Sequence, residues 1–284
     1  MIPAQFEYMC AGSVDEAVAA LGEHGDEAKV MAGGQSLIPL LRLRLAYPEF
    51  VVDVSRVAEM TGVREDGDHL VIGAMTTHHD VMHDELVRQH CGLIAEATET
   101  VADPAVRHRG TFGGALAHAD PASDLPAVAV ALGAEMVVAG SSGRRTVPAG
   151  EFFLDYLQTA LEPDEVLVEV RVPKLGDGWG YRYEKFHRVA QSWAIVGVAA
   201  AVQRSNGSIA AARVGLTNMG ATPVRASGVE EALTGSGLDG IAAAAERAAE
   251  GTSPPSDLNG KADYREHLAR VLTRRALTAA AGGS

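Results

Sequence analysis

Short apolar runs punctuate the first 175 residues of the chain. Those at 28–31, 50–54, 70–72 and 134–138 have the length and β-branched content of strands, and 166–172 alternates apolar with charged positions as a half-exposed strand does. Between them, 86–101 and Asp124–Leu132 carry helical spacing. Ser13-Val14-Asp15-Glu16 sets a cap residue and an acidic first turn ahead of the apolar stretch 17–21. Strands alternating with helices favour a mixed α and β fold over an all-β barrel. After Pro173 the turn-rich string Lys174-Leu175-Gly176-Asp177-Gly178-Trp179-Gly180 reads as a boundary, dividing the chain into 1–175 and 176–284. Beyond it, 181–187, 194–204 and 208–215 read as three strands, the last two joined by the hairpin signal Ser205-Asn206-Gly207. Ala-rich helical patterns follow at 226–233, 238–250 and 262–279. The prediction is an α+β chain whose C-terminal part is a three-stranded antiparallel sheet packed with helices.

Composition narrows the chemistry. With 47% hydrophobic and 21% charged residues the 284-residue chain has the make-up of a folded protein. A net charge of −13 argues against nucleic acid or an anionic membrane as partner. No apolar stretch reaches the roughly 20 residues of a transmembrane helix. Met1-Ile2-Pro3-Ala4 opens without a basic, then apolar, leader, so a cytoplasmic location is expected. Two cysteines, Cys10 and Cys91, cannot build a disulfide framework or ligate an iron–sulfur cluster.

Two glycine-rich loops carry the candidate chemistry. Ala32-Gly33-Gly34-Gln35-Ser36-Leu37 follows the strand at 28–31. Paired glycines let the backbone approach a ligand closely, and successive free amides form an anion-binding concavity to which Ser36 adds a hydroxyl. It is neither Gly-x-Gly-x-x-Gly nor a Walker loop, and alone it reads as a structural turn sooner than as a ligand loop. Thr111-Phe112-Gly113-Gly114-Ala115 repeats the pattern and leads to His118, Asp120 and Asp124. These carboxylates suit ribose or ribityl hydroxyls, and equally a turn and the start of a helix. His79 and His83, four apart, lack an identifiable third metal ligand and read as a solvated helix face. Asp103-Pro104 to Arg107-His108-Arg109 is open to three readings: cofactor phosphate, a partner subunit, or an Arg–Asp surface network.

The two loops together resemble the FAD-binding medium subunits of molybdenum hydroxylases, the family of aerobic carbon monoxide dehydrogenase and xanthine dehydrogenase flavoproteins. The resemblance extends through Glu162-Pro163-Asp164-Glu165-Val166-Leu167, Tyr183-Glu184-Lys185-Phe186, Thr222-Pro223-Val224-Arg225-Ala226 and Asp263-Tyr264-Arg265-Glu266-His267-Leu268. It implies a two-part FAD-binding domain of the PCMH (vanillyl-alcohol-oxidase-like) type at 1–175 and a carbon monoxide dehydrogenase flavoprotein C-terminal domain at 176–284. It also implies that Ala32, Gly33, Gly34, Gln35, Ser36 and Leu37 wrap the FAD pyrophosphate with Thr111, Gly113, Gly114 and Ala115. Asp120 and Asp124 would hold polar groups of the cofactor, Leu167 would line its pocket, and Lys185 would lie near the isoalloxazine; on residue type alone Lys185 reads as a surface strand lysine. The implied partners are a small subunit with two [2Fe–2S] clusters and a large molybdopterin-binding subunit, in a dimer of heterotrimers. The implied activity is transfer of electrons from those clusters through FAD to an external acceptor, with no catalytic acid or base in this chain. Two alternatives compete: a self-contained FAD-dependent oxidoreductase using His118 or His187, and a non-enzymatic module keeping the fold. Phe112 and Gln191-Ser192-Trp193 depart from the family pattern, with Trp193 set either at the flavin rim or in the core.

Overall fold

The computed structural model describes residues 2–282. A small parallel sheet opens the chain, with strands β1 (Glu7–Cys10), β2 (Ala28–Met31) and β3 (Phe50–Asp53) in the order β1-β3-β2. Helix α1 (Val14–His24) crosses between β1 and β2, its first turn closed by Ser13, whose hydroxyl accepts from the Glu16 amide. Helix α2 (Leu37–Leu43) follows the first glycine loop.

An antiparallel five-stranded sheet comes next. Its strands are β4 (Val63–Asp66), β5 (His69–Gly73), β6 (Glu135–Gly140), β7 (Gly143–Pro148) and, after a ribbon of β8 (Phe153–Asp155) and β9 (Gln158–Thr159), β10 (Val166–Pro173). They run in the order β4-β5-β10-β6-β7. Helices α3 (His78–His83), α4 (Glu85–Glu99), α5 (Pro104–Arg107), α6 (Phe112–His118) and α7 (Asp124–Leu132) lie between β5 and β6, and α8 (Ala149–Phe152) follows β7. The central strand β10 is not half-exposed as its alternation predicts. It is buried along most of its length under α1, α6 and α7, and its charged positions end in ion pairs, Glu169 with Arg64 and Arg171 with Asp66. Helix α4 covers the expected helical stretch but kinks at Cys91, where the Leu175 amide donates to the His90 carbonyl.

The C-terminal meander has three long strands, β11 (Trp179–Phe186), β12 (Val196–Ser205) and β13 (Ser208–Thr217), and a short fourth, β14 (Val224–Arg225), which the expected three-stranded sheet lacks. Asn206 and Gly207 both take positive φ (51° and 83°), the geometry that Asn-Gly accommodates in a tight hairpin. Helices α9 (Ser227–Leu233), α10 (Ile241–Ala245) and α11 (Ala262–Ala280) complete the chain; the expected continuous helix at 238–250 is broken into α10 and two 3-10 turns.

Helix α7 joins the two parts. All nine of its residues are buried, because it packs against β10 and, on the C-terminal side, against β12 and β13. Gly215 on β13 has no side chain because a Cβ there would sit 2.2 Å from the Ala127 carbonyl oxygen. Arg213 caps the far end of α7 by donating to the Leu132 carbonyl, and lies over the Trp179 ring. Among the described residues no helix is long and apolar enough to cross a membrane.

Candidate functional site

The fold brings the two glycine loops into contact. A Cβ on Gly33 would lie 1.9 Å from the Arg109 carbonyl oxygen, and one on Gly114 would lie 3.5 Å from the Ala32 Cβ. The first loop turns through Gly34 at φ 73° and starts α2. The backbone amides of residues 32–37 donate to no acceptor among the described residues. A string of unpaired amides at a turn is an anion cradle. The second loop is built differently from the open turn its glycines predict. Thr111 caps α6, its hydroxyl accepting from the Gly114 amide at 3.1 Å. The Phe112 amide donates to the Thr76 carbonyl, that of Gly113 to Ala74 and that of Ala115 to Thr111. Its glycines therefore serve close approach: a Cβ on Gly113 would lie 2.4 Å from that of Ala74. Leu167 is buried one step away, since the Ala74 amide donates to the carbonyl of its neighbour Val168.

A second cluster forms where α7 meets β11. Asp124 is buried, with one carboxylate oxygen accepting from the Tyr183 hydroxyl and the other from Lys185 Nζ, each at 2.7 Å. Lys185 Nζ also donates to the Thr100 carbonyl at 3.0 Å, and its side chain is only 3% exposed. It is thus a buried cation and not the surface lysine its residue type alone predicts. Burial pushes the Asp124 carboxyl up, opposed by Lys185 and Tyr183, and raises the Tyr183 hydroxyl well above its ordinary range. Tyr183 had no predicted role. The signal was present, because residues two apart on a strand face the same side, so a buried Lys185 carries Tyr183 with it.

Asp120 lies in the link between α6 and α7. Its side chain closes a turn by accepting from the Ala122 amide, and it borders a cavity of about 690 Å³ lined also by Tyr156, Arg188, Trp193, Ile195 and Asn218. Trp193 is 54% exposed on that cavity, which excludes the core position considered for it. Neither His118 nor His187 lines it. Burial lowers the His118 imidazole, which follows the second loop at the end of α6.

The remaining candidates resolve differently. His79 stacks on His108 with ring centroids 4.0 Å apart and lies tilted against His83 at 4.4 Å, and no metal-binding group of three occurs among the described residues. Of the three readings open for 103–109, the Arg–Asp surface network does not form among the described residues: Arg107 donates to the Val101 and Ala102 carbonyls, while Asp103 caps α5 and accepts from the Gln191 amide. His78, which carried no expectation, is buried against Gly110; its Nδ1 has no partner, and burial pushes it down to about 4.

These residues fit a dinucleotide. The first loop offers the free amides a pyrophosphate needs, the glycine contacts keep the approach open, and a buried carboxylate and ammonium lie beyond the second loop. Comparison with known proteins points the same way. Residues 4–175 match the family described as the FAD binding domain in molybdopterin dehydrogenase, and residues 181–280 match the CO dehydrogenase flavoprotein C-terminal domain. The chain is 44% identical over 282 residues to the carbon monoxide dehydrogenase medium chain of Hydrogenophaga pseudoflava, covering 99% of this chain and 98% of the relative. A solved structure of carbon monoxide dehydrogenase from the same organism, lacking the Mo-pyranopterin moiety of its cofactor, superposes with a TM-score of 0.96 at 45% identity over 99% of this chain and 98% of that one. Quinoline 2-oxidoreductase from Pseudomonas putida 86 superposes at 0.93 with 36% identity, over 99% of each chain.

Proposed function

We propose that this chain, which belongs to the FAD-binding medium subunits of the molybdenum hydroxylases, carries electrons from the [2Fe–2S] clusters of a small partner subunit to an external acceptor. Substrate would be oxidised at a molybdopterin centre in a large partner subunit, and the three chains would assemble as a dimer of heterotrimers in the cytoplasm. The presence of only two cysteines supports housing the clusters elsewhere. When bound, FAD supplies a centre able to exchange electrons singly or in pairs. The chain's residues supply the rest. The amides of Ala32, Gly33, Gly34, Gln35, Ser36 and Leu37 hold the pyrophosphate. Thr111, Gly113, Gly114 and Ala115 form the wall against which that loop closes. Asp120, Asp124 and Leu167 border the remainder of the cofactor. Lys185, held by Asp124 and Thr100, places a positive charge where a reduced flavin carries a negative one. In domain terms, 1–175 would be the PCMH-type FAD-binding unit and 176–284 the C-terminal unit.

The observation that carries the site assignment is the contact of the two loops with the first loop's amides unpaired. Titrating the purified chain with FAD tests it, read as quenched flavin fluorescence and a structured visible band. A folded chain that leaves FAD unbound overturns the reading. The FAD-loaded chain alone is expected to give no steady-state substrate turnover, and to pass electrons once the cluster and molybdenum subunits are added. Turnover by the isolated chain would favour the self-contained oxidoreductase instead.

A further inference from the structure

A fully buried arginine stands behind the cavity. Arg265, on α11, is 0% exposed. One Nη donates to the Ile195 carbonyl and the other to Asp257 Oδ1 at 2.7 Å, while Nε has no partner. Both acceptors belong to cavity-lining residues from separate segments. The same Asp257 oxygen accepts from the Asn259 and Gly260 amides, so the arginine fixes a turn that is already closed on itself. From the other side Asn218, at φ 62°, donates its side-chain amide to the Ala194 carbonyl at 2.8 Å and its backbone amide to Pro121 at 2.8 Å. The carbonyls of residues 194 and 195 are thus each held by one side chain, the Ile195 amide donates in addition to the Phe186 carbonyl, and the next residue toward the N-terminus is Trp193 on the cavity rim.

An ion pair whose carboxylate is 43% exposed is weak support for stability; what a buried, forked guanidinium adds is direction. We propose that Arg265 and Asn218 are positioning residues: they fix the wall of the cavity and thereby the orientation of Trp193 beside the space a planar aromatic cofactor ring would take. The aromatic-ring part rests on the proposed FAD site; the fixing of Trp193 does not.

The test uses the full chain with Trp179→Phe, leaving Trp193 as the reporting tryptophan, and compares Arg265→Met, Arg265→Lys and Asn218→Gly. Glycine keeps the positive φ while removing the side-chain tie. In the FAD-free chain, loss of either tie is expected to raise acrylamide quenching of Trp193 by about twofold or more, because a residue whose supporting contacts are cut loses its fixed geometry. Lysine is expected not to rescue, since one ammonium does not reproduce the fork to two acceptors. With FAD added, affinity should stay within about threefold of the parent, because the loops are untouched, while the visible circular dichroism of the flavin changes. Parent-like quenching in folded Arg265→Met and Asn218→Gly overturns the proposal; if Arg265→Met does not fold, Asn218→Gly decides it. Failure of the parent to bind FAD overturns the site reading and leaves the quenching comparison standing.

Discussion

Gly33 lacks the one carbon that would part the two loops. Replacing it with alanine puts a methyl 1.9 Å from the Arg109 carbonyl oxygen, a backbone atom that cannot swing aside. Gly33→Ala is expected to weaken FAD binding by about a hundredfold or more, roughly 3 kcal/mol. Fluorescence titration beside Gly22→Ala, where a Cβ meets nothing within 4 Å, checks it. His78 makes a second prediction. Its folded-state value of about 4 lies below the ordinary 6.5, so the unfolded chain binds more protons between those values. Stability is therefore full above pH 6.5 and falls as pH drops toward 4, by up to about 3 kcal/mol. Urea unfolding at stepped pH should show this slope, and His78→Gln should flatten it. Gly33 was legible only through the pairing of two glycine loops in one chain, since a single pair after a strand suits a structural turn. His78 was not, since burial is a property of the fold and nothing in Thr77-His78-His79 distinguishes the buried ring from the half-buried one.

Among the elements, α6 carries the sharpest difference between pattern and structure. Gly113-Gly114 discourages helix, yet Thr111 closes the first turn and the Ala74 and Thr76 carbonyls take up its leading amides. Thr111→Ala should cost about 1 kcal/mol through the lost cap, measurable as a lower urea midpoint with an unchanged slope. Strands β2, β3, β5 and β6 were readable from their apolar runs, and the β12–β13 hairpin from Asn-Gly. The edge strands β4 and β7 were not: Val63-Arg64-Glu65-Asp66 and Gly143-Arg144-Arg145-Thr146 are solvent-facing and polar, so backbone pairing rather than side-chain burial makes them strands. β10 misled in the opposite direction, its charged positions reaching partners that only the folded sheet supplies.

For the whole molecule, the joint between the two parts runs through the Asp124–Lys185 pair, which links α7 to β11. Asp124→Ala leaves a buried ammonium and a buried hydroxyl without their partner and should destabilise by about 3–5 kcal/mol. Asp124→Leu with Lys185→Met should recover most of that stability by calorimetry while leaving the proposed flavin site without its cation. Stability and cofactor chemistry would separate in one pair of proteins. Helix α7 has a further consequence, which concerns synthesis rather than the finished fold. Its nine residues are covered on one side by strands that lie more than 60 residues later in the chain. At ribosomal rates of about 5–20 residues per second, the apolar face of α7 waits roughly ten seconds for the C-terminal sheet to be made. A nascent chain halted at the connector would present that face to the cell, a target for chaperones and for aggregation alike.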